Sequence, residues 1–88
     1  KEPSPILIFS FKMYNKKIKK ELEENIKINK FDYNLFAMVT HIGSTQGGHY
    51  ISYTKHKNIW YMKDDEVCEK VSTIPLKHYH YLALYKKL

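Results

Sequence analysis

The stretch YNLFAMVTHIGSTQGGHYISYTKHKNIWYM, residues 33–62, decides the fold of this chain. Two runs rich in aliphatic and aromatic residues, YNLFAMVTHI and HYISYTK, lie on either side of the glycine-rich sequence IGSTQGG. This composition is typical of two strands and the turn that joins them. A third run, NIWYM, follows after the polar residues KHK. The stretch therefore predicts consecutive β-hairpins in an antiparallel sheet.

The sequence on both sides extends this sheet. ILIFSF at residues 6–11 is a continuous apolar run and predicts a buried strand. EVCEKVS at residues 66–72 alternates between apolar and polar residues, and YHYLALY at residues 79–85 predicts a central strand that closes the sheet. We therefore expect one unit that is mostly antiparallel sheet, without internal repeats.

The segment KKIKKELEENIKINK at residues 16–30 fits two structures. Ile18, Leu22 and Ile26 follow one another at intervals of four, which places them on one face of a helix. Lys and Glu also favour helices. The last part, NIKIN, alternates as a strand does. The residues alone leave both possibilities open.

Length and composition describe one small folded domain. The 88 residues are 43% hydrophobic and 15% aromatic, which is typical of a folded chain. No run of about 18 apolar residues is present, and KEPSPILIF lacks the pattern of a secretory signal, so we expect no membrane partner. Cys68 is the single cysteine, which favours a reducing compartment, the cytoplasm or the nucleus.

The net charge of +6 gives only weak support for nucleic-acid binding. All 15 basic residues are lysines, whereas proteins that read bases and phosphates usually rely on the planar fork of arginine. The lysine cluster at residues 16–20 is typical of a solvated face. We therefore predict no nucleic-acid partner.

A histidine and an aspartate are spaced so that a hairpin would bring them together. His49 begins the second β-rich run, and Asp64 ends the third. If these runs pair as antiparallel neighbours, the two side chains lie within hydrogen-bonding reach. A carboxylate that orients an imidazole is the base half of a catalytic triad. The alternative is a solvated histidine that happens to precede an acidic turn.

The candidates for a nucleophile within the chain are poor. Cys68 lies inside a strand pattern, where a lone cysteine is more often a small buried hydrophobic residue. Ser44 and Thr45 lie on the glycine-rich loop, but no motif there marks a nucleophile. The sequence therefore looks like half of an active site.

The remaining histidines favour structural roles. His78 and His80 alternate on one strand, and with Cys68 they could form a metal site. A single cysteine without a second histidine pair makes ordinary strand residues the better interpretation, so we predict no metal and no cofactor. His41 ends an apolar strand and fits a partly buried, hydrogen-bonded histidine.

The central motif resembles the histidine box of the ubiquitin-specific proteases, which are papain-like cysteine peptidases that cleave after the C-terminal glycine of ubiquitin. The family pattern runs Tyr-x-Leu-x-Ala, His-x-Gly, Gly-His-Tyr, Trp, Asp-Asp and Val. The matching residues here are Tyr33, Leu35, Ala37, His41, Gly43, Gly48, His49, Tyr50, Trp60, Asp64, Asp65 and Val67. PSPILIFSFKMY and YLALY are similar to the upstream and closing strands of the family. The resemblance implies an α+β papain-like fold, of which this segment is mostly antiparallel sheet.

The resemblance implies a role for each residue of the histidine–acid motif. His49 is the general base and Asp64 is the carboxylate that orients it. Asp65 is similar to a neighbouring acid or amide that supports the site.

The resemblance also implies where the substrate lies. The loop from Gly43 to Gly48 borders the channel that receives the C-terminal tail of ubiquitin. Gly47, Gly48 and Tyr50 are the expected substrate-binding residues, since glycines allow an extended peptide to come close to the histidine.

The same alignment favours strands for the ambiguous segment. Residues 17–29 match a family stretch of strand, proline-containing bend and short strand, with Asn25 in place of the proline. We therefore predict a β pair there instead of a helix. Lys63, where the family usually has an aromatic residue or cysteine, is a departure that leaves the His49–Asp64 pair intact.

These observations predict the C-terminal part, residues 1–88, of the catalytic domain of a deubiquitinating cysteine peptidase. The family's nucleophilic cysteine and oxyanion-stabilising asparagine have no match here, so the chain alone should be inactive. The expected partners are ubiquitin, ubiquitinated proteins and the remaining N-terminal part of the catalytic domain. The alternative function is a scaffold or ubiquitin-binding domain that keeps the fold without the nucleophile.

Overall fold

The computed structural model of the chain describes residues 5–11, 19–43 and 48–88. Nine strands form within these ranges, and none of the described residues belongs to a helix long and apolar enough to cross a membrane. The strands are β1 (Ile6–Ser10), β2 (Lys20–Glu21), β3 (Asn25–Ile28), β4 (Phe31–Ile42), β5 (His49–His56), β6 (Ile59–Asp64), β7 (Val67–Val71), β8 (Lys77–His78) and β9 (His80–Lys87).

One antiparallel sheet dominates the structure. Its strands follow the order β1-β9-β4-β5-β6-β7, and β3 adds to β4 to make seven strands. β2 and β8 form a separate small pair. The closing strand β9 lies between β1 and β4, so its predicted position inside the sheet is confirmed. The predicted antiparallel architecture is confirmed as well.

β4 is long enough to pair with three other strands. Its first residues, Phe31–Asn34, pair with β3, and Ala37–Ile42 pair with β5. β9 pairs along the other edge of β4, with register shifts between Leu35 and Ala37 and between Val39 and Thr40. β4 therefore fixes the strand that carries His49 relative to the rest of the sheet.

Two-residue turns set the registers of the hairpins. Asn29 and Lys30 join β3 to β4, and Lys57 and Asn58 join β5 to β6, all with positive φ between 50° and 72°. Two consecutive left-handed residues form the type I′ turn, whose twist matches that of paired strands. The predicted turn around HKN is thereby confirmed, and it aligns β6 against β5.

One face of the sheet carries the hydrophobic core. Its centre consists of the buried residues Tyr33, Leu35, Met38, Trp60, Ala83 and Tyr85. Leu22 and Ile26 pack on it from the segment that contains β2 and β3, and Ile74 and Leu76 pack on it from the segment before β8. These two segments cover the face, as apolar burial requires.

The opposite face is less covered by the described residues. Register places Ile8, Leu84 and Ala37 side by side on it, and Ile8 is 65% exposed. The prediction that residues 6–11 form a buried strand is therefore wrong for this structure. β1 is the edge strand, and four of its five residues are exposed. A continuous apolar run is typical of a strand covered on both faces, but here one face is open.

The segment at residues 19–30 forms strands, as the family resemblance predicts. β2 and β3 occupy it, and the helical spacing of Leu22 and Ile26 instead reflects two separate contacts with the core. Asn25, which replaces the family's proline, begins β3 and accepts a 2.8 Å hydrogen bond from the side chain of Asn34. Ile18 lies outside the described residues.

Candidate active site

His49 is the first residue of β5, and the backbone before it is tightly constrained. Gly48 has a φ of +97°, a conformation that side chains with L chirality rarely adopt. A Cβ atom built on Gly48 would lie 2.1 Å from the carbonyl oxygen of Ile42. A glycine is therefore needed here so that the chain can enter β5 beside the end of β4.

Asp64 is the last residue of β6, and register brings it to His49. Ser52 pairs with Lys63, so the next position along β6 places Asp64 opposite Ile51. His49 lies two residues from Ile51 on the same face of β5. The two side chains are thus diagonal neighbours across adjacent strands, which confirms the predicted proximity.

The pair is close but not tightly bonded. Nε2 of His49 lies 3.4 Å from Oδ1 of Asp64, and the side chains are 51% and 33% exposed. This separation exceeds the 2.7–3.2 Å of most N–H···O hydrogen bonds, as is common in catalytic pairs without bound substrate. Because Nε2 faces the carboxylate, Nδ1 is the nitrogen left to exchange a proton with a nucleophile.

Asp65 occupies the turn between β6 and β7. It is exposed and has a φ of 54°, a left-handed conformation that Asp and Asn tolerate better than most residues. The turn follows Asp64 directly, so Asp65 lies next to the end of the strand that carries the candidate acid. Its role in supporting the site remains a prediction.

Tyr50 lies on the face opposite to His49, because adjacent residues of a strand alternate. Its ring centroid is 4.9 Å from that of His41 and 5.0 Å from that of Tyr81. His41 is buried, whereas Tyr50 is 52% exposed. Tyr50 therefore presents an accessible aromatic surface at the same end of the sheet as the His49–Asp64 pair, but on the opposite face. The predicted contact with substrate remains a prediction.

The glycine-rich loop is described only at its two ends. Gly43 and Gly48 both have positive φ, 105° and 97° respectively. Gly47, Ser44 and Thr45 lie outside the described residues. The described ends show that the chain turns away from β4 and returns into β5 at two glycines.

The structure separates Cys68 from the candidate base. Cys68 pairs with Lys63 on β7, and Lys63 pairs with Ser52 on β5. These residues share the face opposite to His49 and Asp64, since neighbours along a strand alternate. Cys68 therefore cannot give its thiol proton to His49 within this sheet.

The hypothetical metal site formed by Cys68, His78 and His80 is not assembled. Cys68 lies on β7, and three strands of the sheet separate β7 from β9, which begins at His80. Nε2 of the buried His80 bonds the carbonyl oxygen of Leu76 at 2.8 Å. In the described part of the chain, no three His, Cys, Asp or Glu side chains come together as a metal-binding group.

A cavity of about 430 Å³ adjoins the start of the glycine-rich loop. His41, Gly43 and His78 line it together with Lys19. The ammonium group of Lys19 makes the cavity unfavourable for a cation and better suited to a neutral or anionic group. It lies beside the loop that the family resemblance associates with the ubiquitin tail.

Tyr53 lies on the same face of β5 as His49, and the sequence analysis did not consider it. It is partly buried on β5 and packs against the core. Burial, and secondarily the charge of Asp64, raises the pKa of the Tyr53 hydroxyl above its ordinary value of 10.0. The signal was available in the sequence, because His49, Ile51 and Tyr53 alternate along one face of the same strand.

Comparison with protein families gives a match over most of the chain. The model of the ubiquitin carboxyl-terminal hydrolase family matches residues 4–85.

Curated relatives show the same similarity at the sequence level. Ubiquitin carboxyl-terminal hydrolase 27 of Homo sapiens is 42% identical over 53 residues, which is 59% of this chain and 12% of the relative. Ubiquitin carboxyl-terminal hydrolase 22 of Bos taurus is 39% identical over 61 residues, which is 67% of this chain and 12% of the relative. The chain thus spans about an eighth of the length of these relatives.

Solved structures show the same fold. A chain of the Ubp8-Sgf11-Sgf73-Sus1 SAGA DUB module matches with a TM-score of 0.83 and 23% identity, covering 96% of this chain and 24% of that chain. A structure described as an essential yeast splicing factor matches with a TM-score of 0.79 and 18% identity, covering 96% of this chain and 25% of that chain. At these identities the likeness establishes the fold alone.

Proposed function

The chain belongs to the ubiquitin carboxyl-terminal hydrolase family, and from that premise we propose that it carries the histidine half of the active site of a deubiquitinating cysteine peptidase. The observation that supports this proposal most strongly is the His49–Asp64 pair, with Nε2 facing the carboxylate at 3.4 Å. A base and its orienting acid have little use on a binding surface, but both are needed to activate a thiol.

The proposed substrate is the bond between the C-terminal glycine of ubiquitin and a lysine amine. Nδ1 of His49 takes the proton of a cysteine thiol, and the thiolate attacks the carbonyl carbon of the glycine. The protonated imidazole then gives that proton to the leaving amine, and water releases ubiquitin from the thioester. Asp64 holds the imidazole in the required tautomer throughout. We expect bound ubiquitin to shorten the pair to about 2.8 Å, since charge-assisted bonds have that length.

The nucleophile in this proposal comes from outside the 88 residues. Cys68 is the single cysteine, and it lies on the face opposite to His49. The open face of the sheet, where Ile8 is 65% exposed and Ile6 is 42% exposed, supports a further part of the catalytic domain packing there. The nucleophilic cysteine and the oxyanion-stabilising asparagine of the family would instead approach from the face that carries His49 and Asp64, at the end of the sheet where both side chains are partly exposed.

We place this peptidase in the cytoplasm or the nucleus, because a single cysteine forms no disulfide within the chain and suits a reducing compartment. The proposed partners are ubiquitin and ubiquitinated proteins. One solved relative is described as a SAGA DUB module bound to monoubiquitin.

A second function, a scaffold that keeps the fold without catalysis, is compatible with the same fold. The structure described as a splicing factor shares this fold at a TM-score of 0.79. Because unrelated activities can share one fold, the fold does not distinguish a peptidase from a scaffold. The two functions differ in whether a thiol reacts with the end of ubiquitin.

The experiment that tests the proposal is labelling of the intact protein with ubiquitin that carries a C-terminal electrophile. We expect rapid labelling, and a rate lower by about 100-fold or more in His49→Ala, because general-base catalysis contributes that much. His56→Ala is the matched control, since His56 is exposed at the other end of β5. Ubiquitin binding without any labelling would support the scaffold instead. Equal labelling of both variants would show that His49 is not the base.

A further inference from the structure

A second cavity lies at the end of the sheet opposite to His49 and Asp64. Its volume is about 320 Å³, and Lys55 is among the residues that line it. Lys55 follows His49 by six residues on β5, so at a rise of about 3.3 Å per residue the two lie roughly 20 Å apart. This cavity is therefore separate from the candidate active site.

The cavity forms where the hairpin of β5 and β6 extends past β4. β5 pairs with β4 as far as Thr54, which lies opposite Ala37, so Lys55 and the turn residue Lys57 lie beyond the paired part. The ammonium group of Lys55 reaches back to β4 and donates a hydrogen bond to Oδ1 of Asn34. Lys55, Lys57 and Asn34 all line the cavity. Its wall is therefore held by strand pairing and by a side-chain bond.

Apolar side chains form part of the cavity surface. Register places Ile6, Lys86 and Asn34 in one row across β1, β9 and β4, on the open face of the sheet. Ile6 is 42% exposed, and the half-buried Phe36 lines the cavity beside this row. Exposed apolar surface with a polar rim is typical of a site that a partner covers.

The rim of the cavity is positively charged. The charged side chains that line it are those of Lys55, Lys57 and Lys86. Within the described ranges, none of the three forms an ion pair with a carboxylate. The carboxylate of β4 belongs to Asp32, which lies 3.9 Å from the ammonium group of Lys27. The three lysines of the rim therefore repel one another, and an incoming negative group would relieve that repulsion.

One class of partner matches both the charge and the apolar surface. Ile6 and Phe36 gain little from a phosphate backbone, and the chain has no arginine, the residue that contacts phosphates best. A protein segment can supply carboxylates for the lysines and an apolar side chain for the cavity. We propose that this lysine-rimmed cavity is a docking site for an acidic segment of a partner protein, in which an apolar side chain is flanked by aspartate or glutamate. The inference does not depend on the proposed peptidase function.

The test is the binding of a synthetic peptide to the intact protein, measured by fluorescence anisotropy. The probe is a fluorescein-labelled peptide with one leucine between two pairs of glutamates. We expect saturable binding that weakens as the salt concentration rises, because exposed charges are screened. A peptide with glycine in place of the leucine should bind about fivefold more weakly, because the apolar contact is lost. Equal affinity for the two peptides would contradict a docked apolar side chain.

Charge-reversal variants show whether the peptide binds at the cavity. Lys57→Glu combined with Lys86→Glu should weaken binding about tenfold or more, because two attractions become repulsions. The matched control is Lys20→Glu combined with Lys77→Glu, which changes the net charge equally but on the separate β2–β8 pair. This control should change the affinity by less than about threefold. All four lysines are exposed, so both double variants should unfold at the temperature of the wild-type protein.

Three further results would overturn the inference. If the intact protein does not bind the leucine peptide, the cavity does not accept acidic segments, as would be the case if the further part of the catalytic domain covered it. If the control variant loses as much affinity as the cavity variant, the attraction comes from net charge alone. If a single-stranded oligonucleotide of equal charge binds more tightly than the peptide and displaces it, the cavity recognises nucleic acid. None of these results bears on the proposed function, which rests on His49 and Asp64.

Discussion

At the scale of single residues, two neighbouring aspartates occupy different environments. Asp64 is the final residue of a strand and faces His49, whereas Asp65 is exposed in a left-handed turn. The sequence presents them as an identical pair, and only the strand register distinguishes their directions. Replacing each of them with asparagine therefore distinguishes the effect of charge at the site from the effect of conformation in the turn.

We predict that Asp64→Asn lowers kcat of the intact peptidase about 100-fold or more, because an amide allows the wrong imidazole tautomer. The kcat of Asp65→Asn should stay within about threefold of the wild-type value, since asparagine adopts positive φ as readily as aspartate and keeps a hydrogen-bonding side chain. Hydrolysis of a ubiquitin C-terminal amide measures both. Comparable losses in the two variants would contradict the assignment of the orienting role to Asp64.

His80 makes stability depend on pH. Its side chain is buried, and burial lowers the pKa of the imidazole below its ordinary value of 6.5, with the nearby His78 adding to the effect. The unfolded chain then binds a proton at a higher pH than the folded chain. We therefore expect the contribution of His80 to stability to be complete above pH 6.5 and to decline as the pH falls from there through the folded-state pKa.

We predict that the thermal midpoint of the protein falls between pH 7.5 and pH 5.0 and that His80→Gln makes this fall smaller. Glutamine can still donate to the carbonyl oxygen of Leu76, but it does not titrate. His56→Gln, at an exposed position, should leave the pH dependence unchanged. If the thermal midpoint of the wild-type protein changed with pH as much as that of His80→Gln does, this prediction would be contradicted.

At the scale of elements, the sheet between residues 31 and 71 could be predicted from sequence, because alternation and turn residues mark each strand. The His49–Asp64 contact followed from the same hairpin. The secondary structure of residues 19–30 could not be assigned from periodicity. Leu22 and Ile26 make two separate contacts with the core, and their spacing of four residues resembles one face of a helix. Tyr53 was not considered because its nearness to Asp64 depends on the register between two strands.

The entry into β5 is the element most sensitive to substitution. We predict that Gly48→Ala destabilises the protein by about 1–3 kcal/mol, because alanine at a φ of +97° is strained and its Cβ meets the Ile42 carbonyl oxygen. The displacement should reach His49 and lower kcat by about tenfold or more. Thermal unfolding and ubiquitin-amide hydrolysis measure the two effects. If Gly48→Ala kept wild-type stability and activity, the constraint at Gly48 would be one that the chain relieves easily.

At the scale of the whole molecule, the two faces of the sheet differ in how they are covered. The core face is packed by the segments around β2, β3 and β8, whereas Ile6 and Ile8 on the other face remain exposed. The apolar sequence of β1 suggests burial on both faces, and the structure shows burial on one. The sequence alone could not reveal this difference, because coverage depends on what packs against the sheet. The exposed face is consistent with a catalytic domain to which this chain contributes one part.

The measurement that tests this account most directly is the location of the covalent adduct in the intact protein. After reaction with ubiquitin that carries a C-terminal electrophile, mass spectrometry of the digested protein identifies the modified residue. We predict an adduct on a cysteine outside residues 1–88, formed at an unchanged rate in Cys68→Ser, since Cys68 faces away from His49. An adduct on Cys68 would contradict the half-active-site account, and so would an outside adduct that forms equally fast in His49→Ala.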